Sequence, residues 1–157
     1  MNTHNNYPPA SLLRRLSALL YDGLIILAIE MMAGGLVIAI LEALVSAGLI
    51  SYAPYQDVSD LLGRHPVWSY VYTAFLGAVW IWFLVFFWTR GGQTVGMRAW
   101  KLRLQNADGR LITTKQALIR IGTSVFGLAN LLVPFHPDKK GFHDLWAKTE
   151  VVVLPKV

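Results

Sequence analysis

Cysteine is absent from the 157-residue chain, and charged side chains are scarce, at 15% of residues against 55% hydrophobic. Without thiols the protein has no disulfide framework, no thiolate metal site and no cysteine nucleophile. The low charged fraction differs from that of ordinary soluble domains, in which about 25% of residues are charged. Residues 66–89 carry no charge at all, over a length that lets a helix cross the roughly 30 Å hydrocarbon core of a bilayer. The composition therefore predicts a membrane protein.

Two long apolar stretches predict firm transmembrane helices. The first covers about residues 12–43 and the second about residues 67–88, and each exceeds the roughly 20 residues that a bilayer crossing requires. The second carries aromatic residues at both ends, which is typical of side chains at the two membrane interfaces. Residues 1–10 are polar and contain two prolines, so we expect a disordered cytoplasmic tail before a single domain of residues 11–157.

A third apolar stretch, at about residues 117–135, is less regular. Arg120 lies in its first turn and Pro134 near its end, which leaves few uncharged residues for a complete crossing. A complete crossing would also place the lysine-rich C-terminal tail outside, whereas positive segments tend to stay in the cytoplasm. We therefore predict an all-α membrane protein with two firm transmembrane helices and a third helix that is broken, re-entrant or interfacial.

The basic residues predict the orientation in the membrane. Residues 89–116 contain six basic side chains and one acidic one, whereas residues 44–66 contain two aspartates and a single arginine. Because positive loops stay in the cytoplasm, we expect the N-terminus and residues 89–116 inside, residues 44–66 outside, and the C-terminus inside as well. Arg90 and Arg98 flank a glycine-rich turn in the basic loop, where we expect them to contact lipid phosphates.

A small β element is predicted within the basic loop. Residues 100–104 alternate between apolar and basic side chains, and Asn106-Ala107-Asp108-Gly109 supplies the chemistry of a turn. These features predict a cytoplasmic β-hairpin over about residues 99–113. The apolar run at about residues 150–154 can add a third strand, because an isolated two-stranded hairpin is only marginally stable.

Three charges fall on one stripe of the first helix. Arg15 and Asp22 are seven residues apart and lie about 20° from each other around a helix, with Glu30 about 80° further on. In one interpretation Arg15 marks the inner interface, and Asp22 is neutralised by Arg120 or Arg98. In the other, Asp22 exchanges a proton or cation and passes it to Glu30 near mid-depth. An ionised Glu30 there costs a few kcal/mol, so we expect it to be protonated, paired or facing a wet cavity.

Several separated motifs carry a resemblance to a known family. They are Arg15 with Asp22, Gly92-Gln93-Thr94-Val95-Gly96-Met97-Arg98, Asn106-Ala107-Asp108-Gly109-Arg110, Phe142-His143-Asp144 and Thr149-Glu150-Val151-Val152. In this order and spacing the chain resembles the RDD family of small bacterial integral membrane proteins. The family is named for one arginine and two aspartates, which Arg15, Asp22 and Asp144 match. The resemblance implies a bacterial inner membrane and, from some members, cation/proton antiport; Glu30 has no counterpart in the family pattern.

Other site chemistries fit the sequence poorly. The glycines of residues 91–96 lack a phosphate-loop pattern, because Met97 replaces the lysine and Arg98 the serine or threonine. His136, Asp138, His143 and Asp144 show no regular metal-ligand spacing. The basic residues flank apolar segments and form no stripe for nucleic acid. We therefore expect no cofactor, no metal and no enzymatic activity, and we expect Asp144 to act as a local cap or to pair with Arg98 or Lys140.

Two classes of function remain open. The first is a subunit that exchanges a small monovalent cation for protons, with Asp22 and Glu30 as ion sites and Arg15 or Arg120 as counter-charges. The second is a non-enzymatic membrane scaffold or assembly partner in which the same charges, with Asp144, are structural. Two or three helices cannot enclose a lined pathway, so transport would require a homo-oligomer or another membrane protein. The lipid bilayer is a partner in both cases.

Overall fold

The computed structural model describes residues 7–155, which are mostly helical and contain one two-stranded sheet. The helices are α1 (Leu12–Ser46), α2 (Val58–Arg64), α3 (Trp68–Arg90), α4 (Val95–Ala99), α5 (Thr114–Ser124) and α6 (Phe142–Ala147), and a 3-10 segment (Val125–Phe135) follows α5. The strands are β1 (Leu102–Asn106) and β2 (Thr149–Val153). Most of the predicted disordered tail lies outside the described residues.

Among the described residues, three helical stretches are long and apolar enough to cross a membrane: α1, α3, and α5 with the 3-10 segment, Thr114–Phe135. The apolar runs of the sequence explain the first two, which extend a few residues beyond the predicted ends. The third is interrupted, as predicted. Val125 and Phe126 have φ of 46° and 52°, and Gly127 has φ of 96°. A right-handed α-helix requires negative φ, so the helix is broken at these residues.

The sheet corrects the predicted hairpin. Residues 110–113 do not form a strand; they lead into α5, where Thr113 and Gln116 make a capping box. β1 instead pairs antiparallel with β2, in a register that places Leu102 opposite Val153 and Asn106 opposite Thr149. The tail strand therefore pairs with β1, as expected, but it takes the place of the predicted second strand. The turn after β1 forms, with Gly109 donating its backbone N–H to Asn106 O.

Residues just before α1 also differ from the prediction. Pro9 bridges to Val152, and the backbone N–H of Ala10 donates to Val151 O at 2.9 Å. The backbone N–H of Val153 donates to Pro8 O at 2.9 Å, so this short segment pairs along the free edge of β2. A disordered tail is thus wrong for these residues, because the open edge of a small sheet offers unpaired backbone groups that the segment satisfies.

The described residues divide into two compact units. The first comprises those up to Ile25 and those from Ile81 onward, and the second is Ile26–Trp80. In the first unit a buried apolar core forms from α1, α4, α5, the sheet and the residues just before α1 and α5. Its members are Ala10, Ala18, Met97, Leu102, Leu104, Ile112, Ala117 and Val151. This core lies on the α1 face that also carries Arg15 and Asp22, because residues 15, 18 and 22 follow helical spacing.

The second unit contains α2, a short helix inside the predicted first loop. Asp57 caps its first turn by accepting a hydrogen bond from the Asp60 backbone N–H at 2.8 Å. A partly open cavity of about 610 Å³ lies between α2 and the parts of α1 and α3 that belong to this unit. Its lining is almost entirely apolar and includes Leu41, Leu62 and Phe75. Tyr72, which also lines it, packs closely against Gly34, where no side chain intervenes.

Candidate functional site

Asp144 lies at the centre of a buried group of charges in the first unit. It is the third residue of α6, and its Oδ2 accepts the backbone N–H of Gly141 at 2.8 Å, which caps the helix start. Its side chain is completely shielded from solvent. A buried carboxylate is stable only when it is paired and hydrogen-bonded, so the surrounding donors decide its state.

Arg15, in the first turn of α1, is the first of two arginines that pair with Asp144. Its Nη1 donates to Asp144 Oδ2 at 2.5 Å and lies 3.5 Å from Asn130 Oδ1. Its Nη2 donates to Lys139 O at 2.8 Å, and its Nε donates to Ala10 O at 3.3 Å. One guanidinium thus joins the start of α1, the 3-10 segment and the loop before α6.

Arg120, from α5, is the second arginine. Its Nη1 donates to Asp144 Oδ1 and, at 2.5 Å, to the hydroxyl of Thr149 at the start of β2. Its guanidinium carbon lies 5.5 Å from the centre of the Trp88 ring, a distance that permits cation–π attraction. Arg15, Arg120, His143, Asp144 and Thr149 are all buried, and we refer to these five residues as the Asp144 cluster.

Two cations share one carboxylate in this cluster, and burial together with the surplus positive charge shifts the pKa values of Asp144 and His143. Burial alone would raise the pKa of Asp144, but Arg120 and Arg15 outweigh burial and hold that pKa well below its usual range. Burial, reinforced by Arg120 and Arg15, lowers the pKa of His143 to about 3 despite the nearby Asp144. The His143 Nε2 lies 3.6 Å from Asp144 Oδ1. At neutral pH the cluster therefore contains an ionised aspartate and a neutral histidine.

Asp22 occupies a separate buried site on the same face of α1. Its Oδ2 accepts the hydroxyl of Thr94 at 2.5 Å, and its Oδ1 accepts the backbone N–H of Gly96 at 2.8 Å. Thr94 caps α4, so Asp22 receives donors at the N-terminal end of that helix. A Cβ at Gly96 would lie 2.3 Å from Ala18 O, so only glycine lets α4 approach α1 this closely.

The arginines proposed from the sequence as partners of Asp22 lie elsewhere. Arg120 pairs with Asp144, and Arg98 is exposed on α4, so neither neutralises Asp22 in the structure. Asp144 caps its helix as expected, but its cations come from α1 and α5 rather than from its own neighbourhood. Arg90 is exposed and lies over the Phe86 ring at 5.3 Å.

Glu30 is half-buried on α1 within the second unit. No hydrogen bond or ion pair to its side chain occurs among the residues that the structure describes. It therefore does not join Arg15 and Asp22, although all three were placed on one stripe of the helix. The sequence also did not identify Thr94, Gly96, Asn130 and Thr149 as site residues. For Thr94, the signal was a threonine directly before a short helix, which is a common N-cap.

Within residues 7–155, no group of three or more histidine, aspartate or glutamate side chains is placed to hold a metal ion. The oxygens of Asp22 and Asp144 accept hydrogen bonds from internal donors, and both side chains are buried. Such an arrangement can join helices and orient them. It leaves little of either carboxylate for a ligand that approaches from solvent.

The profile described as the RDD family matches residues 9–148. No curated protein matches the chain, and no solved structure matches it. The matched region includes Arg15, Asp22 and Asp144, together with the donors that surround them. The matched family and the three long apolar helices fit a membrane protein.

Proposed function

The chain belongs to the RDD family, and from this premise we propose that it is a non-enzymatic integral membrane protein that serves as a scaffold or assembly partner. In this proposal the Asp144 cluster and the Asp22 site hold the loop after α3 and the C-terminal tail against the start of α1. The contact that carries the proposal is the ion pair of Arg15 and Asp144, which is buried and shared with Arg120. Breaking one partner of such a group leaves an uncompensated buried charge.

The proposed location is the cytoplasmic membrane of a bacterium, with both ends of the chain inside. The charge distribution of the loops supports this orientation. A contact across the third helical stretch also supports it, because Gln116 Nε2 in α5 donates to Ala147 O in α6 at 3.0 Å. Residues before and after Val125–Phe135 therefore meet. Because the chain on either side of this segment comes together, we infer that the segment enters the membrane partway or lies along its inner surface and does not cross it.

Single cysteines test this topology, since the chain contains none of its own. Ser59→Cys lies at an exposed position of α2, and Pro155→Cys lies at an exposed position after β2, away from α6. We expect a membrane-impermeant maleimide to label the cysteine at position 59 in intact spheroplasts, and the one at position 155 only after the membrane is opened. Labelling of position 155 from outside would overturn the proposed topology. Release of the protein by alkaline carbonate would overturn integral membrane insertion itself.

In the basic loop, we propose that Arg90 and Arg98 contact lipid phosphates. Both side chains are exposed, and Arg90 ends a helix that is long and apolar enough to span the bilayer. The guanidinium groups of arginine bind phosphate well, and the cytoplasmic leaflet is rich in anionic lipids. The other proposed partner is a second copy of the chain or another membrane protein.

Exchange of a small monovalent cation for protons is the second candidate, and Glu30 is the observation that favours it. This carboxylate is half-buried on an apolar helix, with no ion-pair or hydrogen-bond partner among the described residues. Charged groups within membrane segments commonly mark ion or proton pathways. Because two or three helices enclose no pathway, exchange would need an oligomer or a partner protein.

Proton flux in proteoliposomes distinguishes the two candidates. Purified protein would be reconstituted with a pH-sensitive dye, and flux would be followed after addition of Na⁺ or K⁺. We expect no cation-driven flux from the wild type, and we expect Asp22→Asn to lower stability. If the wild type shows cation-driven flux and Glu30→Gln abolishes it, the scaffold proposal is overturned in favour of exchange. A Glu42→Gln variant, on the same helix, is the matched control for loss of one carboxylate.

A further inference from the structure

Helix α6 has two chemically different sides. His143, Asp144 and Ala147 are buried against the first unit, whereas Phe142, Leu145 and Trp146 are 43%, 41% and 62% exposed. The exposed side is thus formed by three large apolar residues on a helix of six. Isolated exposed apolar residues are common in proteins, but a cluster of large ones marks an interaction surface.

Lysines flank these apolar residues. Lys139 and Lys148 are exposed, and Lys140 is half-buried, so cations stand both before and after α6. Asp138 and Asp144 are the two acidic residues between positions 136 and 148. Asp144 forms ion pairs with two buried arginines, so only Asp138 can offset the charge of the lysines. We call the outward side chains Phe142, Leu145 and Trp146, with these three lysines, the α6 face.

The Asp144 cluster fixes the orientation of this face. Asp144, on the buried side of α6, forms ion pairs with Arg15 and Arg120. Arg15 also donates to the backbone oxygen of Lys139. At the start of α6, a Cβ on Gly141 would lie 2.9 Å from Ala129 O in the 3-10 segment, which shows how closely the two elements pack. The apolar side of α6 therefore cannot turn inward without breaking the buried ion pairs.

We propose that the α6 face docks on the anionic lipid surface of the membrane in which the protein is embedded. This inference rests on the proposed function, which places the tail at the cytoplasmic leaflet. Charge complementarity selects the lipid, because an apolar face bordered by lysines matches the interface of a negatively charged leaflet. Tryptophan and phenylalanine favour this interface. The 3-10 segment, which contacts α6, also exposes Leu131 and Phe135.

Thiol accessibility in vesicles of defined composition tests the inference. Leu145→Cys places the only thiol of the chain on the α6 face, and Lys115→Cys places it on an exposed residue of α5 as the matched control. In opened proteoliposomes containing phosphatidylglycerol, we expect a charged maleimide to react several-fold more slowly at position 145 than at position 115. In vesicles of phosphatidylcholine alone, we expect this difference to shrink.

Removing the lysine charges provides the second arm. Lys139 and Lys148 have φ of 51° and 55°, a region that asparagine tolerates better than most side chains. In the Leu145→Cys background, Lys139→Asn with Lys148→Asn should therefore keep the fold and raise the maleimide reaction rate in phosphatidylglycerol vesicles. An unchanged melting temperature in detergent would confirm that the fold is intact.

Three results would overturn the inference. The first is equal reaction rates at positions 145 and 115 in both lipids, and the second is protection at position 145 that the lysine substitutions leave unchanged. The third is protection that persists in detergent and weakens on dilution, which would indicate a second copy of the chain on this face. Carbonate extraction of the same vesicles tests membrane insertion independently of the docking of α6. Protein that resists extraction but reacts freely at position 145 refutes the docking alone.

Discussion

Gly96 donates its backbone N–H to the Asp22 carboxylate at 2.8 Å, and the same glycine lies so close to α1 that a Cβ would stand 2.3 Å from Ala18 O. The hydrogen bond to Asp22 therefore depends on the close approach of α4 to α1. Asp22 can reach the start of α4 only because residue 96 has no side chain. This contact attaches the loop after α3 to the first helix.

Gly96→Ala should destabilise the protein by about 2–4 kcal/mol, because overpacking against backbone moves α4 and weakens a hydrogen bond to a charged group. The free energy of unfolding in mixed detergent micelles measures the effect. Gly91→Ala is the control, since a Cβ there meets its nearest atoms at an ordinary 3.7 Å. Equal stability of the two variants would contradict the close approach.

Thr94→Val should lower stability by about 1.5–3 kcal/mol, since a similar shape without the hydroxyl leaves Asp22 Oδ2 unpaired in a buried site. Thr94→Ser, which retains the hydroxyl, should stay close to the wild type in the same unfolding measurement. If serine were as harmful as valine, the methyl group rather than the hydrogen bond would be the important contact.

Asp144→Asn should cost about 3–5 kcal/mol, because two buried arginines would then lack their shared carboxylate. Thermal unfolding in detergent and protein abundance in the membrane both report this loss. Asp108→Asn is the control, because its pair with Arg110 is exposed to solvent and little change is expected. An Asp144→Asn protein as stable as the wild type would remove the structural basis of the proposed function.

Stability should fall as pH decreases from about 6.5 to 4, by at most about 1.4 kcal/mol per pH unit from this one site. The cause is His143, whose pKa is lowered to about 3 in the folded protein, so the unfolded chain binds the extra proton over this range. Asp144 has a depressed pKa, and its contribution is lost only at lower pH. His143→Gln should flatten the slope measured by unfolding at each pH, and an unchanged slope would contradict the assignment.

The pairing of the charges could not be derived from the sequence, although Arg15, Asp22 and Asp144 were identified there. Helical spacing places residues on a face but gives no information about a partner 129 residues away along the chain. In one of the two interpretations of Asp22, an arginine, Arg120 or Arg98, neutralised its carboxylate. A hydroxyl and a backbone N–H supply its hydrogen bonds instead. Both donors are uncharged, so a search of the sequence for opposite charges does not identify them.

The long helices followed directly from the apolar runs, and the break near Gly127 agrees with the irregular third stretch. The β element was predicted less well. Alternation identified β1, but residues 110–113 were assigned to its partner although they precede a capping box. The antiparallel partner is β2. Local turn chemistry cannot decide between two candidate strands when the choice depends on which of them covers the core.

The separation of Arg15 from Asp144 along the chain also has a consequence for biosynthesis. Arg15 is synthesised 129 residues before Asp144 and Arg120 is synthesised 24 residues before it, so both arginines precede the carboxylate that pairs with them. The Asp144 cluster can therefore form only after the chain has been made as far as α6. Chains that end before α6 carry two arginines without the carboxylate that pairs with them in the folded protein. We expect such chains to be less stable than chains that contain α6, because an unpaired buried charge is costly.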